Sequence, residues 1–191
     1  MRDADVRRAL VSHLYRKYKG RADCAVVEEL DVWHGTTRID VAVINGALIG
    51  YEIKSERDTL SRLEFQSHVY SLVFDKVTLI AADKHLREAQ KIVPDWWGLK
   101  SPRENRGDVT IPTIRSARRN RDKDLKVALC FLNKHECISI LDRHLSSRGL
   151  RATKLKYIHE YLASNVPNSV IQTEIRECLR SKTKSRNLLT N

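Results

Sequence analysis

TRIDVAVINGALIGYEIKSERDTLSRLEFQSHVY, residues 37–70, is the stretch whose reading decides the fold. It parses as a strand, a tight connection, a second strand and a helix. In the first strand, residues 38–44, Asp40, Ala42 and Ile44 share one face and Ile39, Val41 and Val43 the other, because side chains alternate along a strand. Both faces are apolar apart from Asp40, which predicts a central strand covered on both sides. Asn45-Gly46 marks the turn. The second strand, residues 48–55, places Glu52 and Lys54 on one face.

The register of this hairpin follows from its loop. A two-residue loop pairs Ile44 with Ala47 and sets Asp40 opposite Tyr51. A three-residue loop, Asn45-Gly46-Ala47, pairs Ile44 with Leu48 and Asp40 with Glu52, and Gly46 suits the left-handed position such loops need. A one-residue slip turns every side chain over, so only odd spacing gathers the two carboxylates. Gly50 then falls on their face, where a missing side chain leaves room for a substrate or a metal.

Two carboxylates and a lysine gathered in this way ask for a compensating charge. Like charges about 4 Å apart repel by about 1 kcal/mol in water and by more in a drier site. A divalent ion such as Mg²⁺ or Mn²⁺ resolves the repulsion, since it prefers hard oxygen ligands. It also polarises a phosphoryl oxygen and lowers the pKa of a bound water. Lys54 then orients that water or stabilises charge on the phosphate. The pattern is one for cutting phosphodiesters.

Asp40, an eleven-residue gap and Glu52-Ile53-Lys54 resemble the D-x(n)-E-x-K core of the PD-(D/E)XK nuclease superfamily, with Ile39 where its nominal proline stands. Gln66-Ser67-His68-Val69-Tyr70 is similar to the Q-x-x-x-Y motif of the RecB-like branch. The strings R-x-D, G-Y-E-I-K-S, D-T-L-x-R-L and W-W-G resemble an uncharacterised bacterial subfamily over roughly residues 25–100. The resemblance implies a restriction-endonuclease-like core, with Asp40 and Glu52 holding metal and Lys54 serving the water. It implies that Gln66 and Tyr70 steady the site. Glu28 and Glu29 are both candidates for an additional ligand, and the resemblance favours Glu29. The implied activity is that of a Mg²⁺- or Mn²⁺-dependent deoxyribonuclease, in repair or in defence against foreign DNA. A second class stands beside it: a non-catalytic nucleic-acid- or partner-binding protein on the same fold.

The rest of the 191 residues reads as a platform and an extension. With 41% hydrophobic residues the chain can bury a core, and its net charge of +11 favours a polyanionic partner. Cys24, Cys130, Cys137 and Cys178 show no C-x-x-C spacing, which predicts reduced thiols in a cytoplasmic protein. No apolar run approaches the ~20 residues a membrane span needs, and Met1-Arg2-Asp3 begins no signal peptide.

Residues 4–18 have the spacing of an amphipathic helix, and residues 25–31 that of an edge strand. Asp58 suits the N-cap of a helix over residues 59–74, on which Arg62, Gln66 and Tyr70 form one stripe. Arg62 there either binds phosphate or neutralises Glu52 or Asp58. Residues 76–82 and 84–92 continue as strand and helix, implying a right-handed parallel crossover. Trp96 and Trp97 offer faces for stacking on bases, but large aromatics beside Pro94 favour core packing.

Arg103, Arg106, Arg115, Arg118, Arg119, Arg121 and Lys123 make residues 100–126 the most basic stretch. Arg115, Arg118, Arg119 and Arg121 are its candidate phosphate contacts, offering affinity without sequence preference. The last third is helical, with a capping box at Asn133–Glu136, Asn168 as the cap of a final helix to residue 182, and a frayed terminus. The expected organisation is an α/β domain over residues 1–115, a mixed sheet flanked by helices. A basic linker and helical appendage follow over residues 116–191, open to DNA or to a protein partner.

Overall fold

The segments on both sides of Asn45-Gly46 do form the middle of a sheet. They are seen in a computed structural model that describes residues 2–105 and 107–189, with only the backbone of residues 186–189. Arg106 lies outside the described residues. Within the first compact unit, Met1–Lys123, the elements are α1 (Asp3–Lys17), β1 (Ala25–Val32), β2 (Thr37–Ile44), β3 (Leu48–Lys54), α2 (Leu63–Val73), β4 (Lys76–Ala81) and α3 (Asp83–Ile92). Four short strands follow: β5 (Gly98–Lys100), β6 (Arg103–Asn105), β7 (Asp108–Thr110) and β8 (Thr113–Arg115).

Six strands make one mixed sheet in the order β1-β2-β3-β4-β5-β8, and β6 pairs with β7 separately. The first three form an antiparallel meander, β3, β4 and β5 run parallel, and β8 returns antiparallel to β5. This is the mixed α/β architecture expected from the sequence. α1 covers one face, burying Val6, Leu10 and Leu14 against Val41, Val43, Tyr51 and Ile53. Each such side chain is worth about 1.5–3 kcal/mol on leaving water. α2 covers the other face, where Phe74 packs over Gly50.

The hairpin has the odd register. Ile44 pairs with Leu48, Val43 with Ile49, Ala42 with Gly50 and Val41 with Tyr51. Its turn closes differently from the expectation, because Gly46 is not among the left-handed glycines. Instead the Asn45 side-chain oxygen accepts from the Ala47 N–H at 2.9 Å, which ties the loop without positive φ. The loop after β3 is also tied by a side chain. Asp58 accepts from the N–H and the hydroxyl of Ser55, so it closes a turn rather than capping a helix, and α2 begins only at Leu63.

Residues 116–123 belong to the first unit. Asn120 is buried and its amide donates to the carbonyls of Ser71 and Phe74, while Lys123 pairs with Asp75. These contacts carry the first unit past the expected end of the sheet domain at residue 115.

The second unit, Asp124–Asn191, contains α4 (Leu125–Ala128), a 3₁₀ turn (Leu129–Phe131), α5 (Lys134–His144), α6 (Leu155–Asn165) and α7 (Asn168–Leu189). The Asn133–Glu136 capping box is present at the start of α5. α7 departs from the reading at both ends. The Pro167 carbonyl accepts from the N–H groups of Val170 and Ile171, so Asn168 is already inside the helix. Its far end continues to Leu189, beyond residue 182 and through most of the stretch expected to fray. Leu129, Ile140, Leu141, Ile158, Leu162 and Ile171 form the core of this unit. Among the described residues no helix is long and apolar enough to cross a membrane.

Candidate functional site

Strand alternation puts Glu52 and Lys54 on the α2 side of β3, and helical spacing puts Gln66 and Tyr70 above them. The four side chains form one closed network. Lys54 Nζ lies 2.8 Å from Glu52 Oε1, with the two side chains only 7% and 3% exposed. Gln66 Nε2 donates to the same oxygen at 2.7 Å. The Tyr70 hydroxyl stands 3.1 Å from Glu52 Oε2 and 2.7 Å from the Arg38 carbonyl, and its single proton serves one or the other. Among the described residues Gln66 Oε1 is buried with no hydrogen-bond partner, so the network is short of one donor at its edge.

Burial, and then the nearby Asp40 charge, push the Glu52 carboxyl up to about 7, against the Lys54 ammonium and the hydrogen bonds that hold it down. Burial also raises the Tyr70 hydroxyl, helped by the Glu52 charge. Asp40 is raised by burial as well, opposed by its bond from the Ile53 N–H and by Arg7.

Asp40 is held by other elements than Glu52. Its carboxylate accepts from Arg7 Nη2 of α1 at 2.7 Å and from the Ile53 N–H at 2.7 Å. The β2–β3 ladder stops at Val41 and Tyr51, so the Asp40 side chain takes a donor on β3 just past the paired residues. Alternation slips here. Val41 packs on the α1 face, while Ile39, two residues earlier, lies over Gly50 on the α2 face. On β1, Glu29 adopts a left-handed φ of 54° at the point where its pairing with β2 skips from Glu28 to Leu30. The space expected beside Gly50 is therefore filled. A Cβ added there would overlap Ile39 and stand 3.2 Å from the Phe74 ring.

Glu29 does not join Glu52. It points to Arg7 at 3.4 Å and to Arg38 at 3.2 Å on the exposed edge, and Glu28 is exposed beside it. Among the described residues no group of three or more His, Cys, Asp or Glu side chains is arranged to hold a metal ion. The donor set fits a divalent ion poorly as it stands, since the Asp40 and Glu52 carboxylates face protein donors.

Arg7 is the residue the sequence reading missed. It was one of several cations on an amphipathic helix, and only its i, i+4 partner Asp3 hinted at an inward role.

The expected phosphate contacts divide. Arg115 is half-buried and committed, donating to the carbonyls of Trp97 at 2.8 Å and Pro94 at 3.1 Å. Arg118 donates to the Asp95 carbonyl at 3.1 Å but remains exposed. Arg62, Arg119 and Arg121 are exposed. Trp97 is fully buried and stacks with Tyr70 at 6.3 Å between ring centroids, so it serves the core.

The family model described as Bacteriophage P4 protein cII matches residues 1–191. Protein cII of Enterobacteria phage P4 is 30% identical over 178 residues, covering 92% of this chain and 67% of its own length. A solved structure, the SPO1766 protein of unknown function from Silicibacter pomeroyi, is 19% identical with a TM-score of 0.46, covering 80% of this chain and 94% of that one. The match along the whole chain overturns the assignment to the PD-(D/E)XK superfamily and to a bacterial subfamily of it. The metal-dependent deoxyribonuclease activity carried over from that resemblance falls with it. The physical reason is that D-x(n)-E-x-K and Q-x-x-x-Y demand only strand alternation and helical spacing. Here those spacings build a buried ion pair with two hydrogen-bonding braces.

Proposed function

The chain belongs to the bacteriophage P4 protein cII family, and we propose that it works without catalysis, as a nucleic-acid-binding protein. The observation that carries this reading is the charge. Lys and Arg outnumber Asp and Glu by 35 to 24, and residues 124–191 alone hold twelve against six. Three acids of the first unit are spent on internal partners: Glu52 on Lys54, Asp40 on Arg7 and Asp75 on Lys123. Arg62, Arg119 and Arg121 stay exposed. Cations that meet phosphates release condensed counterions, so binding by such a surface falls steeply with salt.

The test is equilibrium binding of the full chain to labelled duplex DNA, single-stranded DNA and RNA. Affinity should drop by at least about tenfold between about 50 mM and about 200 mM salt. Absence of binding to every probe at the lower salt would refute the reading. Cleavage of a bound probe on addition of Mg²⁺ or Mn²⁺ would refute its non-catalytic half.

A further inference from the structure

α7 turns a different chemistry to each side. Ile171, Ile175 and Leu179 are buried, and so is Glu174, which pairs with Arg143 and His144 of α5. Lys182 donates to the Phe131 carbonyl at 2.9 Å and pairs with Glu136 at 2.9 Å. These ties clamp the helix at two points about two turns apart. A helix held in this way presents its outer side rigidly.

That outer side carries Asn168, Ser169, Gln172, Thr173 and Arg176. The spacing i, i+1, i+4, i+5, i+8 makes them one stripe. Asn168, Ser169 and Thr173 are exposed, and Gln172 and Arg176 half-buried. Glu174, the acid within residues 168–176, is turned inward, and the exposed Glu177, one turn past Thr173, lies beside Arg180 at 4.0 Å. Helix stability does not account for one member of the stripe. Thr173 is a poor helix former whose hydroxyl donates to the Ser169 carbonyl at 2.9 Å, a local bond that competes with helical order.

These residue types are the ones that read base edges: Asn and Gln bidentate to adenine, Arg to guanine, Ser and Thr to either. α7 follows α6 after Val166-Pro167 alone, with Val166 buried and the two helices in contact. A helix pair with a short turn, the second helix offering its early residues, is how helix-turn-helix units enter the major groove. Lys154 and Lys156, exposed at the start of α6, add positive charge to the same unit.

We propose that the outer stripe of α7 reads base edges in the major groove of double-stranded DNA, while Lys154 and Lys156 contact phosphates. This rests on the nucleic-acid-binding reading and names its substrate. The experiment is selection by the full chain from a random duplex library, followed by affinity measurements on the enriched and a scrambled sequence. Wild type should enrich a defined motif. Gln172→Ala and Arg176→Ala should each lose about 5- to 150-fold on the motif at one base position, with little change on scrambled DNA. Lys154→Ala with Lys156→Ala should weaken both sequences alike. Unchanged far-UV circular dichroism checks that the variants fold.

Binding that depends on salt but enriches no motif would overturn this inference alone, as would a motif that both α7 variants still recognise. A stripe that instead met another protein would give the first of these results. No binding to any nucleic acid would overturn both readings.

Discussion

Replacing Lys54 with Met tests whether the Glu52 network is architecture. Lys54 and Glu52 are 7% and 3% exposed and 2.8 Å apart, so removing the ammonium strands a carboxylate out of water. Breaking a buried pair from one side costs about 3–5 kcal/mol. The stranded group has one escape, which is to take up a proton. In the wild type its carboxyl already sits at about 7 against an ordinary 4.5. A folded value above the unfolded one means that its contribution is fully present below about 4.5 and lost as pH rises through about 7. That loss amounts to about 3 kcal/mol. Asp40, raised by burial, acts in the same direction. Without Lys54 the carboxyl rises further, so the decline extends to higher pH.

The variant should therefore be about 3–5 kcal/mol less stable than wild type near pH 8, and only about 1 kcal/mol less stable near pH 5.5. Urea unfolding followed by tryptophan fluorescence reads this cleanly, because Trp33, Trp96 and Trp97 all lie in the first unit. Adding Glu52→Gln to Lys54→Met should recover most of the loss at pH 8. An equal loss at both pH values would refute the argument, since it would tie Lys54 to packing and not to the Glu52 charge. Once folded, the variant should bind nucleic acid as wild type does.

Tyr70→Phe removes the hydroxyl shared by the Arg38 carbonyl and Glu52, and should cost about 1–2 kcal/mol in the same unfolding assay. Gly50→Ala drives a Cβ into Ile39 beside Phe74 and should cost about 1–3 kcal/mol, while Gly46→Ala, with open space around it, should change stability little. Glu174→Ala leaves Arg143 and His144 without their shared partner. It should lower the helical unit's melting temperature by circular dichroism, leaving tryptophan unfolding of the first unit in place. The Glu174 carboxyl is held below its ordinary value by Arg143 and His144. Its stabilisation is therefore present above about 4.5 and lost on acidification, the opposite sign to Glu52. Acid titration by circular dichroism should show it.

Local patterning determined the platform. Alternating side chains on both sides of Asn45-Gly46 specified two strands, and the odd loop specified Ile44 opposite Leu48, because strand period and loop parity are properties of neighbouring residues. Helical spacing likewise placed Gln66 and Tyr70 over Glu52. What those side chains do was decided elsewhere. Arg7 reaches Asp40 across 33 positions of sequence, and no local period encodes that distance. The slip that sends Ile39 over Gly50 occurs where Glu29, on the neighbouring strand, takes a left-handed φ. Periodicity tells which face a side chain starts from. Which charge it meets there depends on elements brought together only by folding, and that choice paired Glu52 with Lys54 inside the fold and gave Asp40 to Arg7 of α1.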